Sequence, residues 1–205
     1  MPGDDRPRTC PGVSPGTSAA TEVHSSAGPS RSMPPDRPGR GRLAAMPIRE
    51  ATFDDWPRIW PFWHRIVAAG ETYAWDPGTS EEAARDLWMN PAKRVYVVED
   101  DSGAVVASAY LTANYGGPAA GIANAGFMVD PDHTGRGLGR LLAEHVLAEA
   151  RAAGYRGMVF NAVVETNPAV QLWTSLGFTV LGTVPGAFDH PRHGPVGLHI
   201  MYRAL

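Results

Sequence analysis

The sequence predicts an α/β domain, a mixed and mostly antiparallel central sheet flanked by about four helices. Three observations predict it. From Met46 onward, apolar residues alternate between stretches of period two and stretches of period 3.6, the repeats of strands and helices. The strand-like runs 94–99 and 104–113 flank a turn at Asp101–Gly103, a hairpin signal that makes neighbouring strands antiparallel. Around residues 129–140 a strand runs through a glycine-rich turn straight into a helix, a connection typical of mixed α/β folds.

The elements follow in order. Pro47–Ala51 reads as a short strand. Thr52 caps a helix with Asp54 and Asp55 in its first turn, and that helix runs to about Ala69 and stops at Gly70. Glu71–Gly78 is a loop rich in aromatics. A second helix spans Thr79–Met89, capped by Thr79 or Ser80, with Glu82 at the capping-box spacing from Thr79. The strands Arg94–Glu99, Ala104–Ala113 and Ile122–Val129 follow, then a loop at Pro131–Gly135. Arg136–Ala153 is a helix with Leu138, Leu141, Leu142, His145, Val146 and Ala150 on one apolar-leaning face, ended by Gly154. Gly157–Val163 is a strand and Asn167–Leu176 a helix stopped by Gly177. Phe178–Val184 and Val196–Tyr202 are the last strands. Trp56, Trp60 and Trp63 lie at helical spacing and read as core or as a dimer face.

Composition bounds the function. Residues 1–45 hold eight Pro, six Gly and six Ser, no aromatics, and six Arg against four acids. Such a segment buries too little apolar surface to offset its ordering entropy and is expected to be a disordered tail. The domain is expected at 46–205, with Met46 a credible start just before the first strand. A net charge of -3 argues against a nucleic-acid partner. No apolar run approaches the length of a membrane-spanning helix, so no membrane partner is expected. The one cysteine, Cys10, excludes an intramolecular disulfide and a cysteine-built metal site, which fits the cytoplasm. No metal is expected: His190 and His193 fall in a Pro/Gly-rich loop, where such a pair is more often solvated than liganded.

The chemistry concentrates at Val129-Asp-Pro-Asp-His-Thr-Gly-Arg-Gly-Leu-Gly-Arg140. Gly135, Gly137 and Gly139 let the backbone approach a ligand closely. The first amides of the following helix have no internal partner, and the helix dipole favours an anion there. Arg136 and Arg140 add positive charge, so the segment is suited to a pyrophosphate. A dinucleotide fingerprint requires G-x-G-x-x-G, and here Gly139 comes one residue early. A P-loop requires a lysine after its last glycine, and Lys93 is the only lysine in the chain.

Thr134-Gly-Arg-Gly-Leu-Gly139 resembles the central motif Q/R-x-x-G-x-G/A of the GCN5-related N-acetyltransferase superfamily. It matches at both glycine positions, with Thr134 where Gln or Arg is usual and Arg136 able to compensate. The resemblance covers about residues 47–205, with the elements in the order the family requires. It implies that acetyl-CoA is the co-substrate and that Thr134, Gly135, Arg136, Gly137, Leu138, Gly139 and Arg140 cradle it. It also implies that a backbone amide near Met128–Val129 faces the thioester oxygen. Asn167-Pro-Ala-Val-Gln-Leu-Trp-Thr-Ser-Leu-Gly-Phe178 is similar to the family's second motif, N-x-x-A-x-x-L-Y-x-x-x-G-F. There Asn167 would contact the pantetheine arm. Trp173 takes the place of a tyrosine that often protonates the departing thiolate, and an indole has no acidic proton for that task.

Phe160-Asn-Ala-Val-Val-Glu-Thr-Asn167, with Leu172-Trp173 behind it, resembles the fungal acetyltransferases of azetidine-2-carboxylate and other proline analogues. The resemblance implies that Asn161 and Asn167, and by a looser match Asn124, carry catalysis and substrate binding. Gly70-Glu-Thr-Tyr-Ala-Trp-Asp76 resembles phosphinothricin-type amino-acid acetyltransferases, which makes Tyr73 and Trp75 walls of an acceptor site. Bland roles stand beside these: Asn161 as a strand-end cap, Asn167 as a helix cap, Tyr73 and Trp75 as core, and Glu165 as a solvated charge or a base acting through water. The expected function is acetyl transfer to the amine of a small molecule, an amino acid or analogue. A protein acceptor and a catalytically inactive CoA-binding module are the alternatives. Relatives are often dimers, so a homodimer is expected by analogy.

Overall fold

The computed structural model describes residues 46–205. The expected tail, 1–45, lies outside the described residues. Seven strands form one sheet in the order β1-β2-β3-β4-β5-β7-β6. They are β1 (Ile48–Glu50), β2 (Arg94–Glu99), β3 (Val105–Ala113), β4 (Ile122–Val129), β5 (Gly157–Val164), β6 (Thr179–His190) and β7 (Gly194–Ala204). Every pairing is antiparallel except β4 with β5. The helices are α1 (Trp56–Ala68), α2 (Glu81–Trp88), α3 (Leu138–Ala152) and α4 (Ala169–Ser175). The expected α/β architecture with four helices is the one found.

Strand periodicity sorts the side chains into two cores. On β2, Val95 and Val97 enter the core beneath α1 and α2, with Trp56, Ile59, Trp63 and Trp88. Tyr96 and Val98 enter the other, beneath α3 and α4, with Leu138, Leu142, Val146, Phe160 and Phe178. The tryptophans at helical spacing are core: Trp56 and Trp63 are buried, and Trp60 packs between them at ring distances of 5.8 Å on either side.

Local chemistry moved several boundaries. Thr52 opens a 3-10 turn, Phe53–Asp55, which leads into α1 at Trp56. Ser80, not Thr79, caps α2, accepting from the Ala83 N–H at 3.3 Å, while Thr79 is spent on the Asp76 carbonyl. Gly137 adopts φ 84°, so α3 begins at Leu138 and Arg136 stands outside the helix. The largest correction is at the end of the chain. Residues 185–195, read as loop, are mostly strand: β6 and β7 stay paired out to His190 and Gly194. β6 is an edge strand with a register shift between Val184 and Phe188, the two settings in which a strand accepts Pro185. His190 is therefore buried rather than solvated, and its Nδ1 accepts from the Arg192 N–H at 3.1 Å across the tight turn.

The start of the domain is tied by charge. Asp55 is buried and receives both Arg49 terminal nitrogens at 2.7 Å, the Thr52 N–H at 2.8 Å, and Arg58. The Arg49 guanidinium beside it holds the Asp55 carboxyl well below the ordinary carboxylate range. A depressed folded-state pKa contributes stability above the unfolded value of about 3.9 and loses it as pH falls below that. Asp55→Asn is expected to lower unfolding free energy by about 2 kcal/mol at neutral pH and to shrink the acid-induced loss of stability below about pH 4. Urea melts of both proteins from pH 7 down to pH 3 measure this.

Candidate active site

The two parallel strands touch only briefly. Ile122 pairs with Gly157 and Ala123 with Met158; beyond them β4 and β5 part. A cleft of about 660 Å³ opens there, walled by β4, β5, α4, the start of α3 and the loop after α1. The even-numbered residues of β4 turn their backbone groups to β3. The Asn114 N–H meets the Ile122 carbonyl at 2.8 Å, and the Asp130 N–H meets the Val106 carbonyl at 2.9 Å. By strand alternation the N–H and C=O groups of Ala125, Phe127 and Val129 face the opening. Of the two backbone positions expected to face a ligand, Val129 does so. Met128 turns its amide into the β3 ladder and buries its side chain in the wall.

Gly135 and Gly137 hold φ 74° and 84°, torsions that let the turn present successive amides to one side. Among the described residues, the N–H groups of residues 135–139 find no protein partner, whereas Arg140 and Leu141 already bond to the Gly137 carbonyl at 3.1 Å. Gly139 packs close: a Cβ there would sit 3.4 Å from Leu172 Cδ2 and 4.0 Å from Val129 Cγ2. That closeness brings the helix N-terminus up to the mouth of the opening. Thr134 and Gly139 line the cleft. Leu138 points into the core and offers only its backbone. Arg136 is exposed at the turn. Arg140 is partly committed, to Ser175 Oγ at 2.6 Å and Glu144 at 3.4 Å. A turn of open amides, a helix dipole and a flanking guanidinium fit a pyrophosphate.

The three asparagines line the same cleft. Asn161 sits where β5 skips two ladder partners, between Phe160 and Val163, which frees its side chain from the sheet. Its amide pairs reciprocally with Asn114, Nδ2 to Oδ1, at 2.6 and 3.3 Å. Asn167 accepts from the Ala169 N–H at 2.9 Å and so organises the start of α4. Asn124, the loosest motif match, is the one whose amide makes no hydrogen bond among the described residues. Trp173 forms part of the lining, its ring 4.9 Å from Phe127 and 5.0 Å from Phe160. Glu165 lies outside the lining and accepts from the Gly197 N–H at 2.6 Å.

Tyr73 and Trp75 stack at 4.6 Å, and Trp75 stacks on Trp63 at 5.4 Å, so the wall they form is anchored in the α1–α2 core. Tyr73 Oη donates to the Phe127 carbonyl at 2.8 Å and accepts from the Phe127 N–H at 3.0 Å. Sequence reasoning missed Asn114, Phe127, Arg65 and the Glu71–Arg192 ion pair of 2.9 Å, which ties the β6–β7 turn to the loop beside the cleft. Arg65 is held by Asp132 at 2.8 Å. These partners lie 47 to 121 residues apart, and no local pattern marks them.

If the positive φ of Gly137 shapes the turn, Gly137→Ala is expected to lower stability by about 1 kcal/mol, with the far-ultraviolet dichroism unchanged. Thermal melts check this.

The sequence matches the Acetyltransferase (GNAT) family over residues 52–178. The solved structure of a GCN5-related N-acetyltransferase from Kribbella flavida is 51% identical, with a TM-score of 0.76, over 79% of this chain and 99% of that one. N-acetyltransferase aca1 of Schizosaccharomyces pombe is 40% identical over 79 residues, 38% of each chain. L-amino acid N-acyltransferase MnaT of Escherichia coli is 40% identical over 57 residues, 28% of this chain and 33% of its own. The matches thus span well under half the length of these two curated relatives. The family match takes in the glycine-rich turn, the parted strands and α4, and on it the chain belongs to the GNAT acetyltransferase family.

Proposed function

We propose that this protein is an acetyl-CoA-dependent N-acetyltransferase acting on the amine of a small molecule, an amino acid or amino-acid analogue. One observation carries the reading. A cleft between two parted parallel strands has open helix-terminal amides at one end and three asparagines in its wall. The amides of residues 135–139, with Thr134, Arg136 and Arg140 beside them, would hold the pyrophosphate. Val129, Asn167 and Trp173 would line the arm. When bound, acetyl-CoA supplies an activated thioester carbonyl. Asn161 and Asn124 would orient the acceptor amine, a contribution through positioning. Trp173 offers no acidic proton.

An anchored aromatic wall along one side of the cleft favours a small acceptor. Tyr73 and Trp75 are fixed by stacking, and the Glu71–Arg192 pair braces the rim. The name of the E. coli relative supports an amino-acid acceptor. The acetyltransferase domain is residues 46–205. No helix among the described residues is long and apolar enough to cross a membrane. We place the protein in the cytoplasm, without nucleic-acid partners, on its lone cysteine and net charge of -3. A homodimer is supported by Val180, Leu181 and Val184, exposed on the edge strand β6, and by Ile200, exposed on the neighbouring β7. Sedimentation of the full chain at twice the monomer mass is the expected result.

A thiol-release assay tests the activity. The full chain, acetyl-CoA and a panel of proline analogues, phosphinothricin and common amino acids are expected to yield free CoA with at least one acceptor. Arg136→Ala is expected to weaken acetyl-CoA binding about tenfold, the worth of one charge-assisted contact. Asn161→Ala is expected to lower kcat/KM by about tenfold or more while leaving acetyl-CoA affinity in place. Binding of acetyl-CoA without release on any amine would move the acceptor to a protein or the protein to an inactive module. No binding at all would end the proposal.

A further inference from the structure

Three residues of β4 turn backbone groups toward the cleft, and only the middle one, Phe127, has both groups taken by a single side-chain atom. That atom is Tyr73 Oη. The ring it belongs to lines the cleft, held face-to-face by Trp75 at 4.6 Å and edge-on by Trp88 at 6.5 Å. A tyrosine serving only as core needs one partner for its hydroxyl, and any nearby carbonyl would do. This one sits where a neighbouring strand would otherwise pair, on the open edge that an acyl donor must approach.

We propose that the Tyr73 hydroxyl is a catalytic hydrogen-bond donor to the acyl oxygen, relaying the dipole of the Phe127 amide to it. This rests on the reading of the cleft as an acetyl-CoA site. The Phe127 N–H donates to Oη at 3.0 Å and polarises the O–H. That O–H now points at the Phe127 carbonyl, 2.8 Å away. Rotation about the C–O bond turns it toward an oxygen entering the cleft, while Oη keeps the amide. As the acceptor nitrogen bonds to the carbonyl carbon, the π pair moves onto that oxygen, and the hydrogen bond strengthens with the charge. No proton leaves Tyr73. The oxyanion's pair then re-forms the carbonyl as the C–S bond breaks, the C–S pair departs on sulfur as the CoA thiolate, and the proton lost by the amine passes to solvent. Burial, and next the adjacent Tyr110, hold the phenol well above its ordinary range, so it stays a neutral donor at working pH. Tyr73 thus serves a different task from the acid that Trp173 cannot be.

The test needs no acceptor. The infrared carbonyl stretch of [13C]-carbonyl acetyl-CoA is recorded free and bound to the full chain, as wild type and as Tyr73→Phe. Bound to wild type, the stretch is expected at lower wavenumber than in water; in Tyr73→Phe most of that shift is lost, with acetyl-CoA affinity little changed. Placing 3-fluorotyrosine at position 73 keeps the shape and strengthens the donor, so the stretch is expected to fall further. With an active acceptor, Tyr73→Phe lowers kcat on the order of 10²-fold. An identical bound stretch in wild type and Tyr73→Phe overturns the inference. If Tyr73→Phe does not fold, an unmoved stretch in the fluorinated protein overturns it equally. Failure of wild type to bind acetyl-CoA sinks the underlying reading instead, and the two failures are told apart in the first spectrum.

Discussion

The parting of β4 from β5 is the constraint on which the rest of the molecule depends. A sheet gains by pairing every strand along its length, and unpaired backbone inside a protein is costly. Here two residues pair and then the strands separate. The separation persists because each side is propped from outside. The seven-residue register of β3 on β4 holds one wall. The long β7, pairing with β5 on either side of its irregular stretch, holds the other. Tyr73 reaches in from the loop after α1 and satisfies the middle of the exposed edge. The proposed ligand site is thereby an interruption of the sheet that the fold itself maintains.

The props are rigid for reasons visible in their packing. The aromatic cluster Trp56, Trp60, Trp63, Trp75, Trp88 and Tyr73 forms a continuous stacked and edge-on block. Such pairs contribute about 0.5–1.5 kcal/mol each beyond area burial. The Arg49–Asp55–Arg58–Glu99 network clamps β1, the turn after it and the start of α1 to β2. On the opposite face, Gly139 allows α3 to approach Val129 and Leu172 so closely that the glycine-rich turn, the strand and α4 form one corner. The cleft is assembled from elements that each bury a large apolar face, which is how a site made of loop and strand ends keeps its geometry.

Much of this was legible in the chain. Seven strands and four helices follow from periodicity and punctuation, because the glycines at 70, 154 and 177 end helices at positive φ. The glycine-rich turn was legible because its features are local: open amides, glycine torsions and a following helix are all encoded within a dozen residues. Asn161, Asn167, Tyr73 and Trp75 were named on resemblance, and all line the cleft. What escaped was long-range. Asn114 opposite Asn161, Phe127 beneath Tyr73 and Arg192 against Glu71 are pairings of residues distant in sequence. The β6–β7 extension escaped for another reason: prolines and glycines that read as loop are tolerated at a sheet edge with a bulge. Local preference lost to tertiary pairing there, and with it the reading of His190.

Beyond the glycine-rich turn, the cleft is lined mostly by groups that carry no charge. Asn114 and Asn161 answer each other, Asn124 stands open, the charged Glu71 is matched by Arg192, and Arg65 is held by Asp132 beside the glycine-rich turn. Such a surface discriminates by the direction of its hydrogen bonds and by the flat outlines of its aromatic rings. An acceptor in the proposed site would be sorted by where its donors and acceptors point and by how much volume it fills, more than by its net charge.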